Sequence, residues 1–383
     1  MSRERKTAIS VFLIAFAFGL NITGISPILG VLNEKYQQYG TSTVQLLQTL
    51  PYLLLMCGSL LIGWWTTKVS KKKIVLLGLL LVGGCGVIPF FTDSFLILFL
   101  SRLFIGFGFG IVSPLNTAII AEVFEEKERA AYMGLHVVGM GVGTMVGNML
   151  GGFLSGMGYR YFYLVYLIAF LSWFFVQFLL IETPPVKAQS SGDLKLSVDV
   201  YVISLGSFVH TLFINAYSTN IGIYILQNIT EDTTVTGLVT TVNAVFALLV
   251  GASFAKISRT LKQYTVPVSV LAAAAGYGSI ILLPGMTGVY IASALVGVSL
   301  SCFMAGCSLM ISTSVQQEAV AKASGVFSII GGIGGLIAPI FLGNASVVIL
   351  GSNSPLNQFI LSFGGMLVLG IAALLVTVRK QSK

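Results

Sequence analysis

Residues 63–71 read Gly-Trp-Trp-Thr-Thr-Lys-Val-Ser-Lys, and residues 251–259 read Gly-Ala-Ser-Phe-Ala-Lys-Ile-Ser-Arg. The glycine, the first lysine, the serine and a closing cation hold the same places in both. A second register follows. Gly106, Gly134, Gly141, Gly143 and Gly152 match Gly297, Gly325, Gly332, Gly334 and Gly343 at one constant offset. A chain with 43 glycines produces some matches by chance. This register is shared across two apolar segments and two loops, which points to an internal duplication. The chain divides near its middle into two halves of one plan.

Each copy of the repeat sits between long apolar runs. Breaks at charges and turn residues give twelve segments: 7–32, 44–66, 73–92, 95–121, 131–156, 161–181, 200–227, 235–255, 264–284, 287–313, 324–349 and 356–378. Each approaches or exceeds the ~20 apolar residues that a helix needs to cross a bilayer. The expected fold is an all-α integral membrane protein, with twelve transmembrane helices in two pseudo-symmetric six-helix bundles. The first bundle is 1–181 and the second 200–383. Residues 182–199, ETPPVKAQSSGDLKLSVD, form a polar, proline-broken linker between them. With the N-terminus inside, 18 of the 21 Lys and Arg residues fall on the cytoplasmic side. Lys35 and Arg160 fall outside, and Arg102 lies within a segment. That asymmetry places both termini and the linker in the cytoplasm.

Composition excludes other classes. Hydrophobic residues make up 56% of the 383 and charged residues 9%, against about 25% charged in soluble domains. Mean hydropathy is +0.94, which excludes a water-soluble enzyme. The apolar runs are continuous rather than alternating, so a transmembrane β-barrel is excluded. The net charge of +8 is explained by topology, without nucleic acid. Cys57, Cys85, Cys302 and Cys307 lie in apolar runs without CxxC spacing. They read as packing residues, not as metal ligands or disulfides. The first apolar stretch outruns a signal peptide and reads as a retained helix. No phosphate-binding Gly-x-x-x-x-Gly-Lys-Ser/Thr sequence occurs. No cofactor and no metal are expected.

Four further stretches are specific. After the second segment come Gly63, Thr67-Lys68 and Ser70-Lys71-Lys72-Lys73. The fourth segment carries Ser101-Arg102-Leu103-Phe104-Ile105-Gly106 and is followed by a loop from Glu122 to Arg129. The fifth carries a glycine ladder ending Gly147-Asn148 and Gly151-Gly152. Glu182-Thr183-Pro184 closes the sixth. In this order on twelve segments, they resemble the major facilitator superfamily over essentially the whole chain. They are most similar to its compact bacterial branch of drug/proton antiporters. The resemblance implies a secondary transporter working by alternating access. It also implies gating roles for Gly63, Lys68, Lys71, Lys72, Glu122 and Arg129, and for Gly251, Lys256 and Arg259 in the second half. Thr67 stands where the family has an aspartate that helps close the cytoplasmic gate, and Ser70 where it has a second glycine. Asn148 replaces a proline. On the fifth segment Gly139, Gly143, Gly147 and Gly151 recur every four residues. They line one face that permits close helix approach, and sliding.

The polar residues inside the segments are candidates for the site. A buried cation such as Arg102 needs a partner or a wet cavity. His136 and His210 are the in-segment groups whose ordinary pKa lies near neutrality. Asn21, Thr23, Gln48, Asn116, Asn215, Tyr217, Ser218, Asn220 and Asn243 complete the set. Arg102, His210, His136, Asn21, Asn116, Asn215 and Asn220 are taken as substrate-binding or proton-linked. All 13 acids lie at the N-terminus, in loops or at segment ends. The expected function is proton-coupled efflux of a small organic molecule, anionic or neutral rather than cationic, by a monomer in the bacterial cytoplasmic membrane. Multidrug efflux of lipophilic compounds is the alternative within transport. A ligand sensor without flux is the alternative outside it. A membrane-embedded enzyme is disfavoured, because no in-segment acid joins the two histidines.

Overall fold

The computed structural model describes residues 3–20, 24–182, 196–315 and 319–381. Asn21 and Thr23, most of the linker and Glu318 lie outside the described residues. The described chain is helical: α1 (Arg3–Gly19), α2 (Leu29–Lys35), α3 (Thr41–Thr49), α4 (Pro51–Trp65), α5 (Lys71–Val87), α6 (Phe95–Val123), α7 (Glu126–Gly156), α8 (Leu167–Leu179), α9 (Val198–Asn228), α10 (Thr233–Leu261), α11 (Thr265–Leu282), α12 (Met286–Ser314), α13 (Val320–Leu350) and α14 (Pro355–Gln381). Among the described residues, ten stretches are long and apolar enough to cross a bilayer. One of them, Thr233–Leu282, holds both α10 and α11, with the 3-10 turn Lys262–Tyr264 between them. The 17-residue α1 is not among the ten.

Several expected segments are broken locally. The 44–66 segment divides at Leu50, because Pro51 opens α4 and has no N–H to continue α3. The first segment gives α1, the 3-10 turn Ser26–Ile28 and then α2. The sixth begins with an eight-residue 3-10 helix, Tyr159–Tyr166, before α8. The ninth and tenth meet at Leu283–Gly285. There Gly285 takes φ +94°, a left-handed value that lets the chain reverse in three residues.

The chain packs as two compact units. The described residues of Met1–Ile28, Leu50–Ser190 and Thr233–Thr241 form one, and those of Leu29–Thr49, Ser191–Asp232 and Val242–Lys383 the other. Each unit thus holds a piece of the opposite sequence half.

In the first unit α4 and α6 approach through Gly58, Gly106 and Gly110, where an added Cβ would meet the facing backbone. Pro114 lies inside α6 and cannot donate to the carbonyl of Gly110. Ser59 Oγ of α4 donates to that carbonyl instead, at 3.1 Å. The loops alternate ends. Lys71 at the start of α5 pairs with Glu122 at the end of α6. At the other end of α5, Asp93 pairs with Arg160. Phe174 and Phe178 of α8 are exposed, as a lipid-facing surface requires. In the second unit α9 packs on α13 and α14, and α2 and α3 lie against α9 and α13.

Candidate functional site

Arg102 is the eighth residue of α6 and is 1% exposed. Its Nη1 donates to Tyr166 Oη at 2.9 Å. The 3-10 helix before α8 is what delivers Tyr166 to this charge. The result is a guanidinium clasped inside the first unit.

Fourteen residues further along α6, Asn116 joins three helices. Its Nδ2 donates to the Val11 carbonyl of α1 at 3.1 Å and meets His136 Nδ1 of α7 at 2.8 Å. The Val11 carbonyl can only accept, so it fixes the amide orientation. Both protons on Nδ2 are then spent, and His136 Nδ1 must be the acceptor. The neutral imidazole carries its proton on Nε2. Asn116 Oδ1 is buried and has no hydrogen-bond partner among the described residues.

The glycine face of α7 receives α1. A Cβ at Gly139 would press on Phe12, one at Gly143 on the Phe16 carbonyl, and one at Gly147 on Leu20. Gly151 faces the Phe162 ring instead. Asn148, which replaces the family's proline, donates to the Thr240 carbonyl of α10 at 3.0 Å.

At the Lys-rich end the structure joins some expected residues and separates others. Lys71 is buried and bonded to Glu122. Ser70 Oγ donates to Glu182 at 2.9 Å, and Lys73 approaches the same carboxylate at 3.8 Å. Lys68 lies 4.1 Å over the Trp64 ring, and Lys72 is half-buried. Arg129 donates to the Phe124 carbonyl at 3.1 Å. Gly63 faces open space. Its repeat counterpart differs in form. Gly251, Lys256 and Arg259 all lie within the uninterrupted α10, and the two cations are exposed.

The second unit has its own polar centre. Gln45 of α3 donates to Asn220 Oδ1 at 2.6 Å, Asn220 Nδ2 donates to Gln358 Oε1 at 2.8 Å, and Gln358 Nε2 donates to Gln45 Oε1 at 3.3 Å. Three fully buried carboxamides thus close a ring linking α3, α9 and α14. Gln358 also donates to Asn353, which in turn donates to Ser42. Asn215 turns back to its own helix, donating to the Thr211 carbonyl at 2.8 Å. His210 is fully buried, stacks on Phe303 at 3.7 Å, and places Nε2 3.3 Å from Ser299 Oγ.

One feature of α9 was not expected from the sequence. Tyr277 Oη shares its one proton between the carbonyls of Phe213 and Ile214 and accepts from the Tyr217 N–H at 3.2 Å. A hydroxyl from α11 is thus inserted into the ladder of α9, a recognised cause of helix bending. Gln45 and Gln358 were also missed. Their only sequence signal is a carboxamide near the start of an apolar segment, which Gln48 shares.

The comparisons agree with this architecture. Over 97% of both chains, the structure resembles that of a bacterial homologue of the lysosomal transporter Spinster, with a TM-score of 0.74 at 14% identity. A peptide transporter of the POT type solved with sulfate gives a TM-score of 0.79 at 13% identity, covering 99% of this chain and 98% of the other. The nucleoside transporter NupG gives 0.78 at 13%, covering 96% and 99%. A rice (Oryza sativa subsp. japonica) protein named Probable anion transporter 7 is 31% identical over 83 residues. That match spans 21% of this chain and 19% of the rice protein, so it covers about a fifth of the relative's length. The model of the Major Facilitator Superfamily matches residues 11–200 and 203–383, so the chain belongs to that superfamily and is a multi-pass membrane transporter.

Proposed function

We propose that this transporter spans the bacterial cytoplasmic membrane twelve times, with both termini inside, and works as a monomer by alternating access between repeats 1–181 and 200–383. In this reading it exports a small organic molecule, anionic or neutral, in exchange for protons. The observation that carries the charge preference is Arg102, a cation 1% exposed in the interior of α6. Among the described residues, every acid lies near the N-terminus, in a loop or at a helix end. A fixed cation in a medium of low dielectric favours a nearby anion and disfavours a second cation. The 83-residue likeness to a protein named as an anion transporter agrees with this. Export and proton exchange rest on the antiporter-like glycine ladder of α7 and on the two in-helix histidines. The Lys71–Glu122 pair and the Ser70–Glu182 contact act as cytoplasmic closures.

The test is a thermal-unfolding panel on purified wild type and Arg102→Gln, with matched organic anions, neutral compounds and cations. An anion at about 100 times its Kd stabilises wild type by about 2.7 kcal/mol and leaves the variant nearly unmoved. Transport of a permanent cation, driven by a pH gradient in proteoliposomes of the pure protein, would sink the charge preference.

A further inference from the structure

The contacts of Asn116 have an asymmetry that a purely structural amide does not need. Its two N–H donors serve Val11 of α1 and His136 of α7, while its buried Oδ1 accepts nothing among the described residues. Buried acceptors are ordinarily satisfied. We infer that His136 is a proton-binding site of this transporter, and that Asn116 is the positioning residue that converts its charge into release of α1. This inference rests on the proton-coupled reading above.

The chemistry follows from counting donors. In the neutral ring Nδ1 offers a lone pair, and the Asn116 amide donates to it at 2.8 Å. A proton arriving on Nδ1 turns that acceptor into a donor. Two N–H groups then face each other, which is repulsive. Rotating the amide by half a turn brings Oδ1 to the Nδ1–H and forms a charge-assisted bond. The same rotation takes the N–H away from the Val11 carbonyl, so α6 lets go of α1. The idle acceptor in the neutral state is the partner that the charged state needs. His136 is half-buried and within reach of a proton, whereas Asn116 is 1% exposed.

What α1 does on release is set by its bed. It lies on the glycine face of α7, at Gly139, Gly143 and Gly147. One side-chain bond also ties this face, from Thr144 Oγ1 to the Gly19 carbonyl at 2.9 Å, and a slide must break it.

Other charged and titratable groups lie on the elements around His136. On α7, Lys127, Glu128 and Arg129 lie in the first turns, and Arg129 bonds the Phe124 carbonyl. Tyr132, one turn back, stacks on Phe124. On α6, Glu122 is bonded to Lys71 and Arg102 to Tyr166. On α1, Arg3, Glu4, Arg5 and Lys6 are all at the start of the helix. The 3-10 helix against the far end of α7 carries Arg160, bonded to Asp93, and Tyr159, Tyr161, Tyr163 and Tyr166. The turn Ser26–Ile28 carries no titratable side chain. Among the described residues, the hydrogen bond to His136 is that of Asn116.

The test uses the full chain in lipid, with 15N-histidine and His210→Gln to leave a single imidazole. Nitrogen shifts report the tautomer and the protonation state of His136. The neutral ring is expected as Nε2–H, and Asn116→Asp is expected to raise the titration midpoint by about one pH unit or more. Hydrogen exchange of α1 peptides, corrected for intrinsic rate, reads the release. Protection of α1 should fall roughly tenfold across the His136 titration in the otherwise unaltered chain. It should be independent of pH in His136→Gln and in Asn116→Leu. A neutral ring carrying its proton on Nδ1 overturns the inference. So does α1 protection that follows pH equally in Asn116→Leu. Coupled proton flux with a pH-indifferent α1 overturns this inference and leaves the proposed function standing. A working switch without coupled flux does the reverse.

Discussion

The two buried polar centres differ in how completely they close. Gln45, Asn220 and Gln358 form a ring in which each carboxamide donates to the next. Asn116 and His136 form a chain that ends on an unused oxygen. The ring contains no group that titrates, and turning any one amide breaks two bonds. It has one good arrangement. The Asn116 centre contains an imidazole and a spare acceptor, so it has two. A buried carboxamide thus serves as part of a fastener in one unit and, in the reading proposed above, as half of a switch in the other.

The largest effect is expected from breaking the fastener. Asn220→Leu strips partners from two buried glutamines, each costing about 1–3 kcal/mol when left unsatisfied. A loss of about 2–5 kcal/mol should appear as a marked fall in the detergent melting temperature. Asn215→Leu serves as the control, because Asn215 bonds within its own helix, and it should cost well under half as much. Equal losses would show that the ring is no stronger than one local bond.

Tyr277→Phe comes next. It removes one hydroxyl and leaves the Tyr217 N–H and the Phe213 carbonyl to find each other or go unpaired. A cost of about 1–3 kcal/mol is expected, with faster hydrogen exchange confined to residues 213–217. Unchanged exchange there would show that α9 closes its own ladder without the wedge.

The smallest effect separates a packed glycine of the α7 ladder from an idle glycine elsewhere on α7. Gly143→Ala drives a Cβ against the Phe16 carbonyl, while Gly134→Ala meets nothing within 4 Å. The first should cost about 1–3 kcal/mol and slow transport. The second should be neutral or slightly stabilising. If the order is reversed, α1 does not rest on this face.

Most of the helices were legible because they are long apolar runs between charges, and a shared glycine register is what pointed to a repeat. Local interruptions were less so. Pro51 splits a segment that hydropathy alone reads as continuous. Gly251–Arg259 matches Gly63–Lys71 at the glycine, the first lysine, the serine and the closing cation, yet one stays inside α10 while the other bridges α4 and α5. At the site, Arg102, His136 and Asn116 stood out as polar residues within apolar runs. Their partners did not, because Val11 contributes only a carbonyl and Tyr166 is one aromatic among many. Gln45 and Gln358 are 313 positions apart, and nothing local in the sequence relates them.

Where α7 crosses α10, the first unit carries no side chain at the point of contact. A Cβ on Gly152 would stand 2.6 Å from the Gly237 Cα, and one on Gly237 would strike Gly152 in return. For evolution these two positions are a single locus. Neither glycine can be exchanged alone without prising the helices apart, and a larger residue at one place cannot be offset by a smaller one at the other, since none smaller exists. Drift at this crossing is therefore frozen on both sides at once. Across an alignment of close relatives, 152 and 237 should be invariant together or be lost together.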